Sequence, residues 1–251
     1  MGEPVIQFRN VHKSFGHLRV LKGVDLTIEA GMVTTIIGRS GIGKSVLLKH
    51  VIGLLQPDEG EILYRGRNLR DMTRGDLKEL KRKCCYMFQQ LALFDSMTVY
   101  QNIAMPLEEN TDLPRIQIQR RVLSRMGQMD LHGIAKKYPS EISGGMRKRV
   151  ALARALITEP EVVLFDEPTT GLDPIRKNAV HGMIARYQHE MFFTAVIVSH
   201  DIPDVFEISQ KVAMLEDGKI LFAGAPGEIQ SCPEQRVQNF IQGRQEGEDE
   251  E

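Results

Sequence analysis

The chain has 251 residues with 32 Lys and Arg against 33 Asp and Glu, a net charge of -1, so it lacks the global basic field of general nucleic-acid binders and no nucleic-acid partner is expected. Three cysteines, Cys84, Cys85 and Cys232, are too few and too poorly spaced for a disulfide framework or a tetrahedral metal site, which makes reduced thiols in the cytoplasm the expectation. The length allows one large domain or two small ones, and no apolar run approaches the length that spans a bilayer.

Residues 5–11 alternate like an edge strand. After a turn at Phe15-Gly16-His17, residues 20–28 predict a second strand with Gly23 as a bulge. Residues 33–37 are β-branched and suit a buried strand, and residues 45–52 read as a helix. Between them lies Gly38-Arg39-Ser40-Gly41-Ile42-Gly43-Lys44-Ser45, which matches the phosphate-binding pattern G-x-x-x-x-G-K-[ST] in the required strand-loop-helix context. A short strand at 61–64, a charged helix at 76–83 and an apolar strand at 84–88 follow. Helical periodicity then dominates residues 99–156, with Pro106, Pro114 and Pro139 separating the segments. Strands return at 162–165, 195–198 and 212–215, with a helix over 175–189, and Asp217-Gly218 predicts a hairpin into 219–222. Apolar strands alternating with helices indicate a parallel sheet covered on both faces. The expected fold is α/β: a P-loop nucleotide-binding core with a mainly parallel sheet, an N-terminal antiparallel β layer and an inserted α-helical subdomain at about residues 90–157. Residues 1–243 read as one domain, with 244–251 as an acidic, disordered tail.

Four of these strands end in polar residues: the P-loop after Ile37, Gln89 after Phe88, Asp166-Glu167 after Phe165, and Ser199-His200 after Val198. In open α/β sheets ligands lie beyond the carboxyl ends of the strands, so all four point into one crevice. The P-loop glycines let backbone N–H groups approach phosphate oxygens, and the helix start adds unpaired donors and a partial positive charge. Lys44 would neutralise the β- and γ-phosphates and the Ser45 hydroxyl would sit on Mg²⁺. Asp166 suits a largely hydrated Mg²⁺, a hard cation that prefers oxygen. Glu167 is then free to orient or deprotonate the water that attacks the γ-phosphate. His200 could hydrogen-bond that phosphate, or simply cap or pack. A glutamine such as Gln89 at a strand end is usually only solvated, and Phe15 could stack on adenine or serve the core. Ser143-Gly144-Gly145 at a helix start makes a second anion site, or a plain cap.

In this order the motifs resemble those of the ATP-binding-cassette ATPases, over residues 5–243. The resemblance implies that Phe15 stacks on adenine, that Gln89 is the Q-loop residue beside the metal with Ser45 and Asp166, and that Ser143-Gly144-Gly145 is the signature. It makes Thr170-Gly171-Leu172-Asp173 the D-loop, with Asp173 at the nucleotide, and His200 the switch histidine. The signature departs from the usual L-S-G-G-Q at Ile142 and Met146. The family implies ATP and Mg²⁺ as cofactors and a head-to-tail dimer with a second copy, each ATP lying between one P-loop and the other copy's signature. It also implies an integral-membrane permease docked near residues 89–107, on the cytoplasmic side of the inner membrane. Within the family, Gly41-Ile42-Gly43, Ala92-Leu93-Phe94, residues 102–107 and the methionine-ending signature are similar to the ATPases of Mla phospholipid-transport systems. ATPases of amino-acid importers, or of soluble iron–sulfur assembly, are the alternative readings.

Overall fold

The computed structural model describes residues 2–87 and 93–244. Strands β1 (Pro4–Phe15) and β2 (Leu18–Glu29) form a long hairpin, and β3 (Val33–Ile37) leads through the glycine loop into helix α1 (Lys44–Val51). Strands β4 (Glu59–Tyr64) and β5 (Arg67–Asn68), helix α2 (Arg74–Lys83) and strand β6 (Cys84–Met87) come next. Among the described residues, the α-helices α3 (Val99–Asn110), α4 (Arg115–Gln128) and α5 (Gly144–Leu156) lie between β6 and the following strand. The chain continues with β7 (Val162–Asp166), α6 (Pro174–Met191), β8 (Thr194–Ser199), β9 (Lys211–Glu216), β10 (Lys219–Gly224), α7 (Pro226–Ile229) and α8 (Gln235–Ile241).

Two sheets result. The smaller is antiparallel in the order β2-β1-β4-β5, and the larger runs β10-β9-β3-β8-β7-β6. In the larger sheet β6, β7, β8, β3 and β9 are parallel, and β10 joins β9 as an antiparallel hairpin. β1 is an inner strand rather than the edge that its alternation predicts, because β4 pairs with its second side. The register of β1 against β2 shifts between Val11–Val24 and His12–Lys22, which leaves Gly23 as the extra residue of a bulge.

The large sheet is buried on both faces, and the pleat assigns alternate residues to different cores. Val163 and Phe165 of β7 join the cluster that includes the inserted helices and α6, whereas Val162 and Leu164 pack with α1 and the antiparallel layer. Pro106 lies inside α3 instead of separating two segments. A proline removes one backbone bond from a helix interior. Here the helix is fixed at its start by the reciprocal bonds of Thr98 and Gln101 and along its length by the burial of Val99, Ile103, Ala104 and Leu107.

This topology places the carboxyl ends of β3, β8, β7 and β6 side by side. Their outgoing loops therefore share one edge of the sheet.

Candidate functional site

The loop after β3 has the shape that its glycines permit. Gly38 has φ +153, and a Cβ there would meet the Leu215 carbonyl oxygen at 2.4 Å; at Gly43, with φ +112, it would meet Val20 Cγ1 at 2.5 Å. Any side chain at either position would push the loop out of its seat between β9 and β2. Helix α1 begins with Gly43 in the left-handed conformation, with no side chain capping it and no acidic residue in its first turn. Its opening N–H groups and the positive end of its dipole face the loop, an arrangement that favours an anion. Lys44 is 4% exposed. Its ammonium donates to the carbonyls of Gly38 and Arg39, both at 2.9 Å, and lies 3.4 Å from Glu167 Oε1.

Across the crevice, Asp166 ends β7 and both of its oxygens accept hydrogen bonds. Ser45 Oγ donates to Oδ1 at 2.6 Å and the Tyr86 hydroxyl donates to Oδ2 at 2.5 Å. Glu167 leaves the strand at φ +51, a left-handed conformation that is uncommon for a residue with a side chain and tends to mark functional sites. Its N–H donates to the Val198 carbonyl at 3.0 Å, which fixes the turn. Its Oε2 accepts from Thr170 Oγ1 at 2.7 Å and lies 3.0 Å from His200 Nδ1. Burial pushes the Glu167 carboxyl up, but the Thr170 hydroxyl and the charges of Lys44 and His200 outweigh it and hold the group below the usual glutamate value. Glu167 is thus ionised at neutral pH, with one oxygen toward Lys44 and the other toward His200.

The residue after His200 is anchored from two directions. Asp201 accepts from Thr169 Oγ1 at 2.5 Å, pairs with the Lys177 ammonium, and donates its own N–H to Ser199 Oγ at 3.0 Å. Burial raises this carboxyl, and the bonds from Lys177 and Thr169 more than reverse the effect. The His200 loop is thereby tied to the segment after Glu167 and to helix α6.

The structure brings together Lys44, Ser45, Asp166, Glu167 and His200. The glycine-rich start of α5 is a separate feature. Ser143 Oγ accepts from Met146 N at 3.2 Å, and residues 143–145 line a cleft of about 900 Å³ with Arg147, Lys148, Leu172 and Arg176. Asp173 caps α6 by accepting from Arg176 N at 3.0 Å. Among the described residues, neither Ser143 nor Asp173 hydrogen-bonds to the Asp166 cluster. Phe15 closes the β1–β2 hairpin, 46% exposed, with the Lys13 ammonium 5.7 Å from its ring centroid. Gln89 lies outside the described residues.

Tyr86, Thr169, Lys177 and Asp201 are absent from the sequence reading. Tyr86 sits in an apolar strand three residues before Gln89, where a tyrosine reads as core. The others join through side-chain contacts between elements, which leave no periodic trace in the sequence. Among the described residues no group of three or more His, Cys, Asp or Glu could hold a metal ion. A hydroxyl beside a carboxylate nonetheless fits Mg²⁺, which binds few protein oxygens and keeps most of its water.

The family described as ABC transporter matches residues 21–170. The chain is 38% identical over 243 residues to the intermembrane phospholipid transport system ATP-binding protein MlaF of Escherichia coli, covering 97% of this chain and 90% of that protein. It is 34% identical over 247 residues to the protein of the same name from Haemophilus influenzae, covering 98% and 94%. The probable ribonucleotide transport ATP-binding protein mkl of Mycobacterium tuberculosis is 38% identical over 242 residues, covering 96% of this chain and 67% of that one. Among solved structures, cbiO1 of Clostridium perfringens, part of the ABC transporter complex cbiONQ, superimposes with a TM-score of 0.84 at 29% identity over 94% of each chain.

Proposed function

Because this chain belongs to the ABC transporter family of ATP-hydrolysing subunits, we propose that the cluster around Lys44, Asp166 and Glu167 binds and cleaves ATP to move phospholipid between the membranes of a diderm bacterium. The observation that carries the chemistry is the ionised Glu167, held between Lys44 and His200 beside the metal-suited pair Ser45 and Asp166. The phospholipid cargo is supported by the relatives named for intermembrane phospholipid transport.

The P-loop wraps the phosphates with backbone N–H groups, and Lys44 exchanges its two carbonyl partners for β- and γ-phosphate oxygens. Mg²⁺, when bound at Ser45 and Asp166, neutralises the phosphates and polarises the γ-phosphorus. Glu167 accepts the proton of a water that attacks the γ-phosphorus while the β–γ bridging P–O bond breaks and ADP leaves. Its neighbour His200 holds the γ-phosphate, and Thr170 keeps the carboxylate aimed. Phe15 stacks on adenine from its exposed position. The family resemblance would add Gln89, which lies outside the described residues, to Ser45 and Asp166 as a holder of the metal, and Asp173 as a nucleotide-binding residue.

Ser143, Gly144 and Gly145 serve the ATP of a second copy. The 900 Å³ cleft beside them opens next to a capped helix start rich in Arg and Lys, a surface suited to a nucleotide-loaded partner. Among the described residues no helix is long and apolar enough to cross a membrane. By likeness to the transporter subunits among its relatives, the chain would pass its mechanical work to a separate permease docked near residues 89–107, on the cytoplasmic side of the inner membrane.

Affinity purification from detergent-extracted membranes tests this reading. An integral-membrane permease should co-purify and carry bound phospholipid, and adding that lipid should change the rate of ATP hydrolysis. Recovery with soluble partners only, or with a permease that binds amino acids, would overturn the phospholipid assignment.

A further inference from the structure

The hydroxyl of Tyr86 has no place in the chemistry described above, yet it touches the carboxylate on which the metal site depends. β6 and β7 are parallel neighbours with Tyr86 opposite Leu164. Side chains two residues apart on a strand share a face, so Leu164 and Asp166 point the same way, and Tyr86 stands on that face one strand over. Its ring packs against the core shared with Leu164 and Leu48, and its phenol reaches along the sheet to Asp166 Oδ2 at 2.5 Å. Ser45, at the start of α1 on the same face, donates to the other oxygen, Oδ1, at 2.6 Å. Asp166 is therefore gripped at both oxygens, from the P-loop helix on one side and from the strand leading to Gln89 on the other.

We propose that Tyr86 is a positioning residue for Mg²⁺ binding: its hydroxyl fixes the rotation of the Asp166 carboxylate so that the remaining lone pairs face the hydrated metal beside Ser45. This inference rests on the ATPase reading and deepens it. A carboxylate with one donor swings about its Cβ–Cγ bond, and an ordered metal site must then be assembled at each binding event. With a second donor the orientation is prepaid, as in metal sites where outer hydrogen bonds orient the ligands and tune affinity. The phenol is a better clamp than an ammonium here because it adds a donor without adding a positive charge next to the cation. The same bond makes β6, which runs straight into the segment holding Gln89, part of the metal site.

Tyr86→Phe keeps the ring and its packing and removes only the hydroxyl. Nucleotide binding measured without metal, in EDTA with a fluorescent ATP analogue, should match wild type, because the P-loop contacts are untouched. The Mg²⁺ concentration for half-maximal hydrolysis should rise about tenfold, the loss expected when a charge-assisted hydrogen bond at the ligand is removed. Mn²⁺ affinity in the presence of a non-hydrolysable ATP analogue, read by electron paramagnetic resonance, should fall by a similar factor, with a broadened spectrum. Saturating Mg²⁺ should recover most of the maximal rate. An unchanged Mg²⁺ midpoint and Mn²⁺ affinity in a folded Tyr86→Phe protein would overturn the proposal. So would a lowered melting temperature and maximal rate at an unchanged midpoint, since that pattern marks a packing role. If the wild-type chain itself bound no nucleotide, the ATPase reading would fail instead, so the two failures are distinguishable.

Discussion

Glu167 is poised by neighbours of three kinds: an ammonium at 3.4 Å, a neutral hydroxyl at 2.7 Å and an imidazole at 3.0 Å. Replacing it by glutamine keeps the shape and hydrogen-bonding reach but removes the basic oxygen. Glu167→Gln should retain ATP affinity while phosphate release falls by about 10²–10⁴-fold, the usual size of a general-base contribution; release close to wild type would remove Glu167 from the chemistry. Asp201 gives a pH-dependent counterpart. Its bonds to Lys177 and Thr169 hold it below 3.8 despite burial, so the folded chain favours the ionised form. The resulting stability is fully present above the unfolded value and is lost as the pH falls through the lower folded one. In urea titrations the deficit of Asp201→Asn relative to wild type should be largest at neutral pH and shrink below pH 3.8.

At the level of elements, the loop after β3 is seated by close approach rather than by side chains. Gly43→Ala would place a methyl 2.5 Å from Val20 Cγ1 at φ +112, a strain of about 1–3 kcal/mol. The loop should move, so ATP binding measured by calorimetry should weaken and the melting temperature should drop; unchanged ATP affinity would contradict the close seating of Gly43. Helix α5 depends on a different device, the Ser143 cap. Ser143→Ala should cost about 1 kcal/mol in chemical denaturation. ATP affinity of the isolated chain should stay near wild type, because Ser143 makes no hydrogen bond to the Asp166 cluster among the described residues.

At the scale of the whole molecule, the proposed function makes the P-loop and the Ser143–Gly145 turn two halves of a site that a second copy completes. Glu167→Gln with Mg²⁺ and ATP should elute as a dimer in size-exclusion chromatography, and adding Ser143→Arg should return it to monomer; a monomer in both cases would sink the two-copy reading. The sequence by itself determined much of this protein. The glycine pattern at 38–45 requires a strand before it and a helix after it. Asp166, Glu167 and His200 at the ends of apolar runs must meet if those runs are adjacent parallel strands, and the observed order makes them so. Local physics suffices there, because glycine conformations, strand periodicity and helix starts are set within a few residues. Pro106 and β1 show where it does not suffice. A proline inside α3 and a strand with two partners depend on what packs against them, and neither neighbour is near in sequence. The Tyr86–Asp166 and Lys177–Asp201 contacts span 80 and 24 residues. Tertiary structure alone decides such pairs, because a side chain acquires a partner only when sheet register and helix packing bring two distant backbones within the length of a hydrogen bond.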